Sequence, residues 1–437
     1  METTSVIETA ESVAPQPQWQ PASRIAFRFV FAYFVLYMLI FPAGAMIPYT
    51  SYLVEKYYDL LHVIVPWVGK HILRLSKEIT IFTNGSGDTT YDYALAAFFL
   101  MLAALAMVIW SLADRRRAHY QKLYGWFRLC ARFWTAQVMI VYGAAKVIDL
   151  QFGDPALAKL VQPYGEASPM GILWTFMASS DSYTFATGLA EVIAGVLLLI
   201  PRTTLLGALA TLVVMGQVFL LNMTYDVPVK LFSFHVVLLA ALLAAPDAKR
   251  LANLFLFNRP VAPAPVQPLF ERQRLRQALL IGQVVFGLYL LGSAFYEARS
   301  QFQSMQAFGN PPLRGIWEVD ELTVNGDARL FQVAEEARWQ YLIFEFRKFL
   351  TVRTLKGPHQ GFKLQLDTEN HTLTLGRHDD PEWKAAFQYA EPEPERLTLQ
   401  GSYNGHQMDA KLHRVDETKF MLKSRGFHWI QEFPFNR

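Results

Sequence analysis

The chain has 437 residues, of which 52% are hydrophobic and 18% are charged. The apolar residues come in uninterrupted runs of about 20, the length that crosses a bilayer, which excludes a soluble globular protein. The formal net charge is only +3, and Lys and Arg lie between the apolar runs rather than in one patch, which excludes a nucleic-acid partner. The single cysteine, Cys130, excludes an internal disulfide and a CxxC redox pair.

The N-terminal part of the chain predicts a tail, two membrane spans and a polar stretch between the spans. Residues 1–23 are polar and lack the basic start of a cleaved signal peptide, so we expect a disordered cytoplasmic tail. Within residues 24–124, apolar runs at 25–47 and 94–113 predict the first two spans. Between them, apolar residues recur at helical spacing among charged ones over 51–82, which predicts an amphipathic helix at the membrane interface, followed by a Gly-rich loop.

Five further apolar runs predict the remaining spans, so that the chain has about seven in all. Because Lys and Arg concentrate in cytoplasmic loops, the arginine cluster at 114–117 sets the direction of the chain. The Pro- and Arg-rich linker at 249–276 then falls on the same cytoplasmic side. The pattern predicts a membrane protein with a cytoplasmic N-terminus and spans three to seven at residues 129–148, 183–200, 204–221, 229–245 and 277–295.

The C-terminal region, residues 299–437, predicts an all-β domain outside the cytoplasm. Apolar and polar residues alternate there, and Asn-Gly pairs at 325–326 and 404–405 separate the predicted strands. The alternation continues to the end of the chain in FMLKSRGFHWIQEFPF, which predicts a last strand. Gly-Ile-Trp at 315–317 resembles the Gly-x-Trp of lipocalin-like barrels, which favours a closed antiparallel barrel over a sandwich.

Ionisable side chains within or next to the predicted spans are the candidate catalytic residues. A charge inside a bilayer is costly, so it normally faces the bundle interior, a partner or a water-filled cavity. Glu191 lies halfway along the fourth span, where we expect it to pair with a cation, Lys146 first and Lys230 otherwise. Lys146 has the alternatives of pairing with Asp149 or snorkelling to the interface. His235 is either a proton relay or a hydrogen-bonded helix-contact residue.

Three further residues are candidates for ligand binding. Asp226 and Lys230 lead into the sixth span. His71 lies between basic residues at 70 and 74, where it could bind an anionic headgroup or a quinone carbonyl, with a solvated basic face as the simpler alternative. The histidines of the β domain lack the spacing of metal ligands, so we expect no metal site.

Two motifs in the middle of the chain resemble a known family. A Gly-x-x-Lys ends one span at residues 143–146, and a Glu-x-x-x-Gly at 191–195 is followed by an aliphatic run that ends at Pro201-Arg202. Together these motifs resemble the core of the DoxX-like membrane proteins, over about residues 127–247. The resemblance implies a four-helix membrane core at 125–248. In some members this core is linked to quinone, thiosulfate or thiol redox chemistry.

Two functions of different classes are open at this point. The resemblance implies a membrane subunit of a quinone- or thiol-linked redox system, with a quinone as cofactor, or a periplasmic redox protein as partner. The alternative is a non-enzymatic membrane protein whose β domain binds a periplasmic partner or lipid. A transporter is the weakest hypothesis, since no inverted repeat is found. Whether the protein is an enzyme is open.

Overall fold

The computed structural model describes residues 18–40, 50–81, 85–264, 268–307, 309–326 and 338–436. Most of the predicted N-terminal tail and the end of the first predicted span lie outside these residues. The chain divides into two units. We call them the helical unit, Met1–Gly143 with Ala190–Ala294, and the barrel unit, Ala144–Leu189 with Phe295–Arg437.

Long apolar helices confirm a helical membrane protein. The helices in chain order are α1 (Pro21–Ile40), α2 (Ser51–His71), α3 (Thr90–Ala113), α4 (Gln121–Val147), α5 (Leu157–Leu160), α6 (Pro169–Ala178), α7 (Asp181–Leu199), α8 (Thr204–Thr224), α9 (Lys230–Ala244), α10 (Ala248–Phe255), α11 (Gln273–Ala307) and α12 (Met421–Ser424). Six of the described helices are long and apolar enough to cross a membrane: α1, α3, α7, α8 with the 3-10 turn before it, α9 with α10, and α11.

The predicted count of seven spans is not confirmed, because the third predicted span lies in α4. This helix has 27 residues but is not among the helices apolar enough to qualify as a span. Residues 131–140 are all buried, and they include the polar side chains of Arg132, Thr135 and Gln137. Arg132 donates hydrogen bonds to Thr204 and to Gln283. A helix surrounded by protein can carry polar groups that a lipid-facing helix cannot, because neighbouring helices satisfy them.

A buried arginine joins α1 to the loop after α3. Arg28 is only 4% exposed. Its Nη1 donates to Ser111 Oγ at 2.8 Å and its Nη2 donates to the Asp114 carbonyl at 2.9 Å. Its Nε and Nη2 also reach Tyr120 Oη, at 3.0 and 2.7 Å, and this hydroxyl donates to Asp114 Oδ2 at 3.0 Å. The network satisfies a charge that would otherwise be costly to bury in the helical unit.

The β domain is a closed antiparallel barrel, which confirms the barrel and removes the sandwich alternative. Consecutive strands pair along the sheet, and β8 closes it against β1. The alternation seen in the sequence sets the core: in β6, Ala385, Phe387 and Tyr389 are buried and their neighbours are exposed. The strands are β1 (Gly315–Val324), β2 (Trp339–Phe346), β3 (Phe349–Thr354), β4 (Gln360–Asp367), β5 (Thr372–Gly376), β6 (Lys384–Glu393), β7 (Arg396–Tyr403) and β8 (His406–Arg414).

The predicted last strand is wrong. The segment 420–436 contains the short helix α12 and otherwise irregular backbone. Because β8 already pairs with β1 along Trp317 to Val324, no sheet edge is left to pair with another strand. The buried Trp317 of the Gly-Ile-Trp motif donates from Nε1 to the Leu313 carbonyl at 2.9 Å, which fixes the entry into the barrel.

Within the barrel unit, the segment around α5 packs on the outside of the barrel. Leu157 is buried against Ile316 and Ile343, two outward-facing strand residues. The backbone N–H of Leu157 donates to Glu345 Oε1 at 3.0 Å. Arg353 donates to the Val161 carbonyl. We call this contact, between residues 157–161 and the outer faces of β1 to β3, the clasp.

The clasp is expected to weaken as the pH rises. Burial raises the pKa of Glu345 above its ordinary value, although the N–H groups of Leu157 and Ala158 and the charge of Arg314 partly oppose the shift. A carboxyl whose pKa is raised in the folded state contributes stability that is complete below its unfolded pKa and is lost as the pH rises through its folded pKa. Glu345→Gln keeps the hydrogen-bond acceptor and removes the titrating group. In the wild type, the protection of the Leu157 amide against hydrogen exchange, corrected for the intrinsic exchange rate, should fall as the pH rises. In Glu345→Gln this protection should stay constant with pH.

The matched control for this prediction is Glu393→Gln, at an exposed position on the same barrel. It should leave the pH dependence of exchange at Leu157 as in the wild type. An unchanged pH dependence in Glu345→Gln would contradict the assignment of the titration to this carboxyl.

Candidate functional site

Two distant loops meet at one end of the helical unit, and one aspartate joins them. Asp88 accepts hydrogen bonds from the backbone N–H groups of Lys230, at 2.7 Å, and Leu231, at 2.9 Å. These are N–H groups of the first turn of α9, which have no partners within the helix. The N–H of Gly87 donates to the Pro228 carbonyl at 2.8 Å. We call this end, formed by residues 85–92 and 225–231, the loop end.

The structure brings together two of the predicted ligand-binding residues, Asp226 and Lys230. Lys230 Nζ lies 2.9 Å from Asp226 Oδ1 and 3.8 Å from Asp88 Oδ2. The Asp226 side chain is exposed, and its backbone adopts a left-handed conformation with φ of 55°. This arrangement is an ion pair at the start of α9, and a ligand-binding role for the two residues stays a prediction.

Asp88→Ala is expected to lower the free energy of unfolding by about 1–2 kcal/mol, because the start of α9 loses its cap. Asp226→Asn is the matched control. It removes the charge that pairs with Lys230 and keeps a side chain suited to the left-handed backbone, so its cost should stay below about 1 kcal/mol. Thermal unfolding of both variants in the same detergent measures the difference. Equal effects would mean that the cap contributes no more than a surface ion pair.

The structure places His235 in the core as a helix-contact residue. Its Nε2 lies 2.6 Å from Tyr33 Oη, and its Nδ1 lies 2.6 Å from the Leu231 carbonyl. Since the carbonyl accepts from Nδ1–H, the neutral ring offers Nε2 as the acceptor for the tyrosine hydroxyl. The ring also stacks on Tyr37, with centroids 4.0 Å apart and an angle of 9° between the planes. Both ring nitrogens therefore have partners, and the role of His235 as a proton relay stays a prediction.

Tyr37 forms part of the wall of a cavity of about 390 Å³ in the helical unit, next to the loop end. The walls combine tyrosine rings with aliphatic and phenylalanine side chains, and one carboxylate, that of Asp92, is included. The lining residues whose side chains matter here are Tyr37, Tyr58, Tyr91, Asp92, Leu95, Ala96, Phe99, Tyr142, Val229, Leu231 and Phe232. A largely apolar cavity with a few convergent polar groups is the usual form of a small-molecule site.

The polar groups of the cavity differ in whether they already have partners. Tyr58 Oη donates to the Ile40 carbonyl at 2.9 Å. Asp92 Oδ2 accepts from the N–H and the hydroxyl of Thr89, at 2.8 and 2.6 Å. Tyr91 Oη is buried and has no hydrogen-bond partner among the residues that the structure describes. A buried hydroxyl without a partner is costly, so Tyr91 is the cavity residue best placed to bond a ligand.

The predicted charges Lys146 and Glu191 are both buried, Lys146 at the end of α4 and Glu191 in the middle of α7. Glu191 is within electrostatic range of Tyr142 in the cavity wall. The pairing of Glu191 with Lys146 stays a prediction. One turn after Glu191, Gly195 lets α7 approach α4: a Cβ there would lie 2.9 Å from the Ala136 carbonyl oxygen. The Glu-x-x-x-Gly motif thus combines a buried carboxylate with a close helix contact.

His71 lies apart from the cavity lining. It is exposed at the end of α2, where its Nδ1 lies 3.0 Å from the Trp67 carbonyl and its ring stacks on Trp67. These local contacts agree with the simpler alternative of a solvated side chain. Among the described residues, no group of three or more His, Cys, Asp or Glu side chains could hold a metal ion.

The fold and the cavity define the class: a helical membrane protein with a ligand-sized cavity and an added β-barrel domain. A stretch of 127 residues is 34% identical to the uncharacterized protein YwoB of Bacillus subtilis (strain 168), and it covers 28% of this chain and 79% of YwoB. The chain therefore belongs to the same family as YwoB. No family model and no solved structure matches the chain.

Proposed function

We propose that this membrane protein is DoxX-like and binds a quinone-type ligand in the tyrosine-lined cavity, as the membrane subunit of a quinone- or thiol-linked redox system. The observation that carries the proposal is the buried Tyr91 hydroxyl in the wall of an otherwise largely apolar cavity, which has no hydrogen-bond partner in the described part of the chain. A quinone headgroup is flat and apolar and presents carbonyl oxygens that accept hydrogen bonds. It therefore matches both the walls and the available donor.

The size and shape of the cavity support the same ligand class. Its volume of about 390 Å³ lies at the lower end of the range of about 300–1,000 Å³ that is usual for ligand sites. Tyr37, which lines the cavity, stacks on His235. Phe99 and Phe232 complete the apolar walls. When bound, a quinone supplies reversible electron and proton transfer.

The residues of this chain would bind and orient the headgroup. Tyr91 donates a hydrogen bond to a carbonyl oxygen. Asp92, whose carboxylate is fixed by the N–H and hydroxyl of Thr89, accepts a hydrogen bond from a hydroxyl on the reduced ligand. The apolar walls exclude water, which strengthens both bonds.

Chemical analysis of the purified protein tests the proposal. We expect extraction of protein purified in mild detergent, followed by mass spectrometry, to recover one quinone per chain. Ala96→Phe fills the cavity and should abolish this recovery. Leu100→Phe, at an exposed position on the same helix, should retain it. Recovery that is the same in both variants would assign the quinone to the surrounding lipid.

The orientation forms part of the proposal. We place the N-terminus in the cytoplasm of a bacterium and the loop end and barrel outside the inner membrane, on the asymmetry of Lys and Arg along the chain. Reporter fusions at Asp114, Asn222 and Arg437 show on which side of the membrane each of these positions lies. An active cytoplasmic reporter at Arg437 would reverse the placement of the barrel.

The second candidate function is a non-enzymatic membrane protein that binds a periplasmic partner or lipid through its β domain. It is favoured by large exposed apolar side chains at the end of the barrel unit, among them Phe427, Trp429 and Phe433. A purified protein that carries a bound partner and no small molecule would support this alternative.

A further inference from the structure

The chain ends in a segment that exposes an unusual set of large apolar side chains. After β8, residues 420–436 form no strand of the barrel. Phe427 is 77% exposed, Trp429 91%, Ile430 80% and Phe433 82%. Single exposed apolar residues are common on soluble surfaces, but several within seven positions mark a surface that meets something apolar. We call residues 420–436 the tail.

We propose that the tail is an interfacial anchor that inserts its aromatic and aliphatic side chains into the surface of the same bilayer. Trp and Phe are favoured at the boundary between headgroups and acyl chains, and segments that lie in this boundary combine them with Lys or Arg. The tail has this composition. This inference concerns the barrel unit and does not rest on the ligand cavity.

Several side chains of the tail contact each other or the turn that follows β8. Arg425 lies over the ring of Phe435, 4.5 Å from its centroid. Phe427 and Trp429 meet edge to face with centroids 5.0 Å apart. Next to α12, Lys423 Nζ lies 3.6 Å from Glu417 Oε2, which ties the start of the tail to the turn after the barrel. The tail is thus a locally ordered aromatic cluster rather than an extended strand.

The charges of the tail fit an anionic membrane surface. Over residues 420–436, Lys423 and Arg425 are positive and Glu432 is negative, so the formal balance is 2 − 1 = +1. The cationic side chains are long enough to reach headgroup phosphates while their stems stay against apolar groups. Binding to a partner protein by strand addition is disfavoured, because the backbone of the tail has no strand geometry.

The bilayer is within reach of the barrel unit because the chain passes repeatedly from this unit into membrane helices. The barrel unit includes the last residues of α4, the first residues of α7 and the last third of α11, from Phe295. The predicted span ends at residue 295, so the rest of α11 extends about 18 Å beyond it. Residues 308–314 then lead to β1 and span at most about 25 Å when fully extended. The connection from the span to the barrel therefore reaches at most about 40 Å, which keeps the tail close enough to meet lipid.

A depth measurement on the full-length protein tests the anchor. Cys130→Ser removes the native thiol, and Phe433→Cys is labelled with an environment-sensitive fluorophore. The protein is placed in nanodiscs of phosphatidylcholine and phosphatidylglycerol that carry a quencher near the top of the acyl chains. We expect quenching that corresponds to a depth of about 5–10 Å below the headgroups. The same label with Phe427→Ser, Trp429→Ser and Ile430→Ser should lose this quenching.

The other outcomes overturn the proposal. An unquenched label in both proteins means that the tail stays in water. Equal quenching in both means that the three side chains do not anchor it. An unquenched label that cross-links to a second copy of the chain assigns the apolar cluster to self-association. Because these side chains are exposed, the serine variants should fold as the wild type does, which circular dichroism verifies.

Discussion

Replacing Arg28 with methionine is expected to lower the stability of the protein more than any other substitution considered. Methionine retains the apolar stem but removes every guanidinium hydrogen bond to Ser111, Asp114 and Tyr120. Hydrogen bonds that involve a charged group are worth about 1.5–3 kcal/mol each. We therefore expect a loss of at least about 3 kcal/mol.

The measurement is the free energy of unfolding in mild detergent, and Arg116→Met is the matched control. Arg116 is exposed in the same loop, so its replacement should change stability by less than about 0.5 kcal/mol. If Arg28→Met behaves like Arg116→Met, the network does not hold α1 against the loop after α3.

Adding a single methyl group at Gly195 is expected to destabilise the helical unit by about 1–3 kcal/mol, the usual cost of overpacking. A Cβ at this position would lie 2.7 Å from Ile140 Cγ1, 2.9 Å from the Ala136 carbonyl oxygen and 3.2 Å from Met139 Cβ. The carbonyl oxygen belongs to the backbone of α4, which cannot rotate away as the end of a side chain can. The helices α4 and α7 must therefore move apart.

Gly216→Ala is the matched control and should have the opposite sign. Nothing lies within 4 Å of a Cβ at Gly216 in α8. In an open helical position, alanine is favoured over glycine by up to about 1 kcal/mol. A Gly195→Ala protein that is as stable as the Gly216→Ala protein would contradict the close approach of α4 and α7.

Local patterns in the sequence predict most elements of the fold. The long apolar runs became α1, α3, α7, α8, α9 and α11, and the alternating stretches became strands of the barrel. Strand β3 has little sequence signal, because Phe349–Thr354 is short and lies between charged residues. The tail was wrongly predicted as a strand, because its alternation imitates one. A segment can join a sheet only where an edge is free. The pairing of β1 with β8 removes that edge, and a local pattern does not reveal this pairing because the two strands are far apart in the chain.

The candidate site was less predictable, because its key contacts join positions far apart in the chain. Asp226 and Lys230 lie one turn apart, so their pairing follows from spacing. Asp88 caps a helix 142 residues later, and Tyr33 meets His235 across 202 residues. The cavity needs side chains from α1, α2, α3, α4 and α9 together. In the sequence, the ionisable residue Glu191 in the middle of a predicted span was the feature that indicated a site in this part of the molecule.

Labelling with a photoreactive quinone analogue in native membranes tests the central claim most directly, because it locates the ligand without purification. We expect cross-links on the cavity residues Tyr37, Tyr91 and Leu95, and we expect excess unlabelled quinone to suppress them. Ala96→Phe should remove the labelling, whereas Leu100→Phe should retain it. Labelling that resists competition, or that falls on the exposed face of α11 instead of the cavity, would contradict a quinone site between these helices.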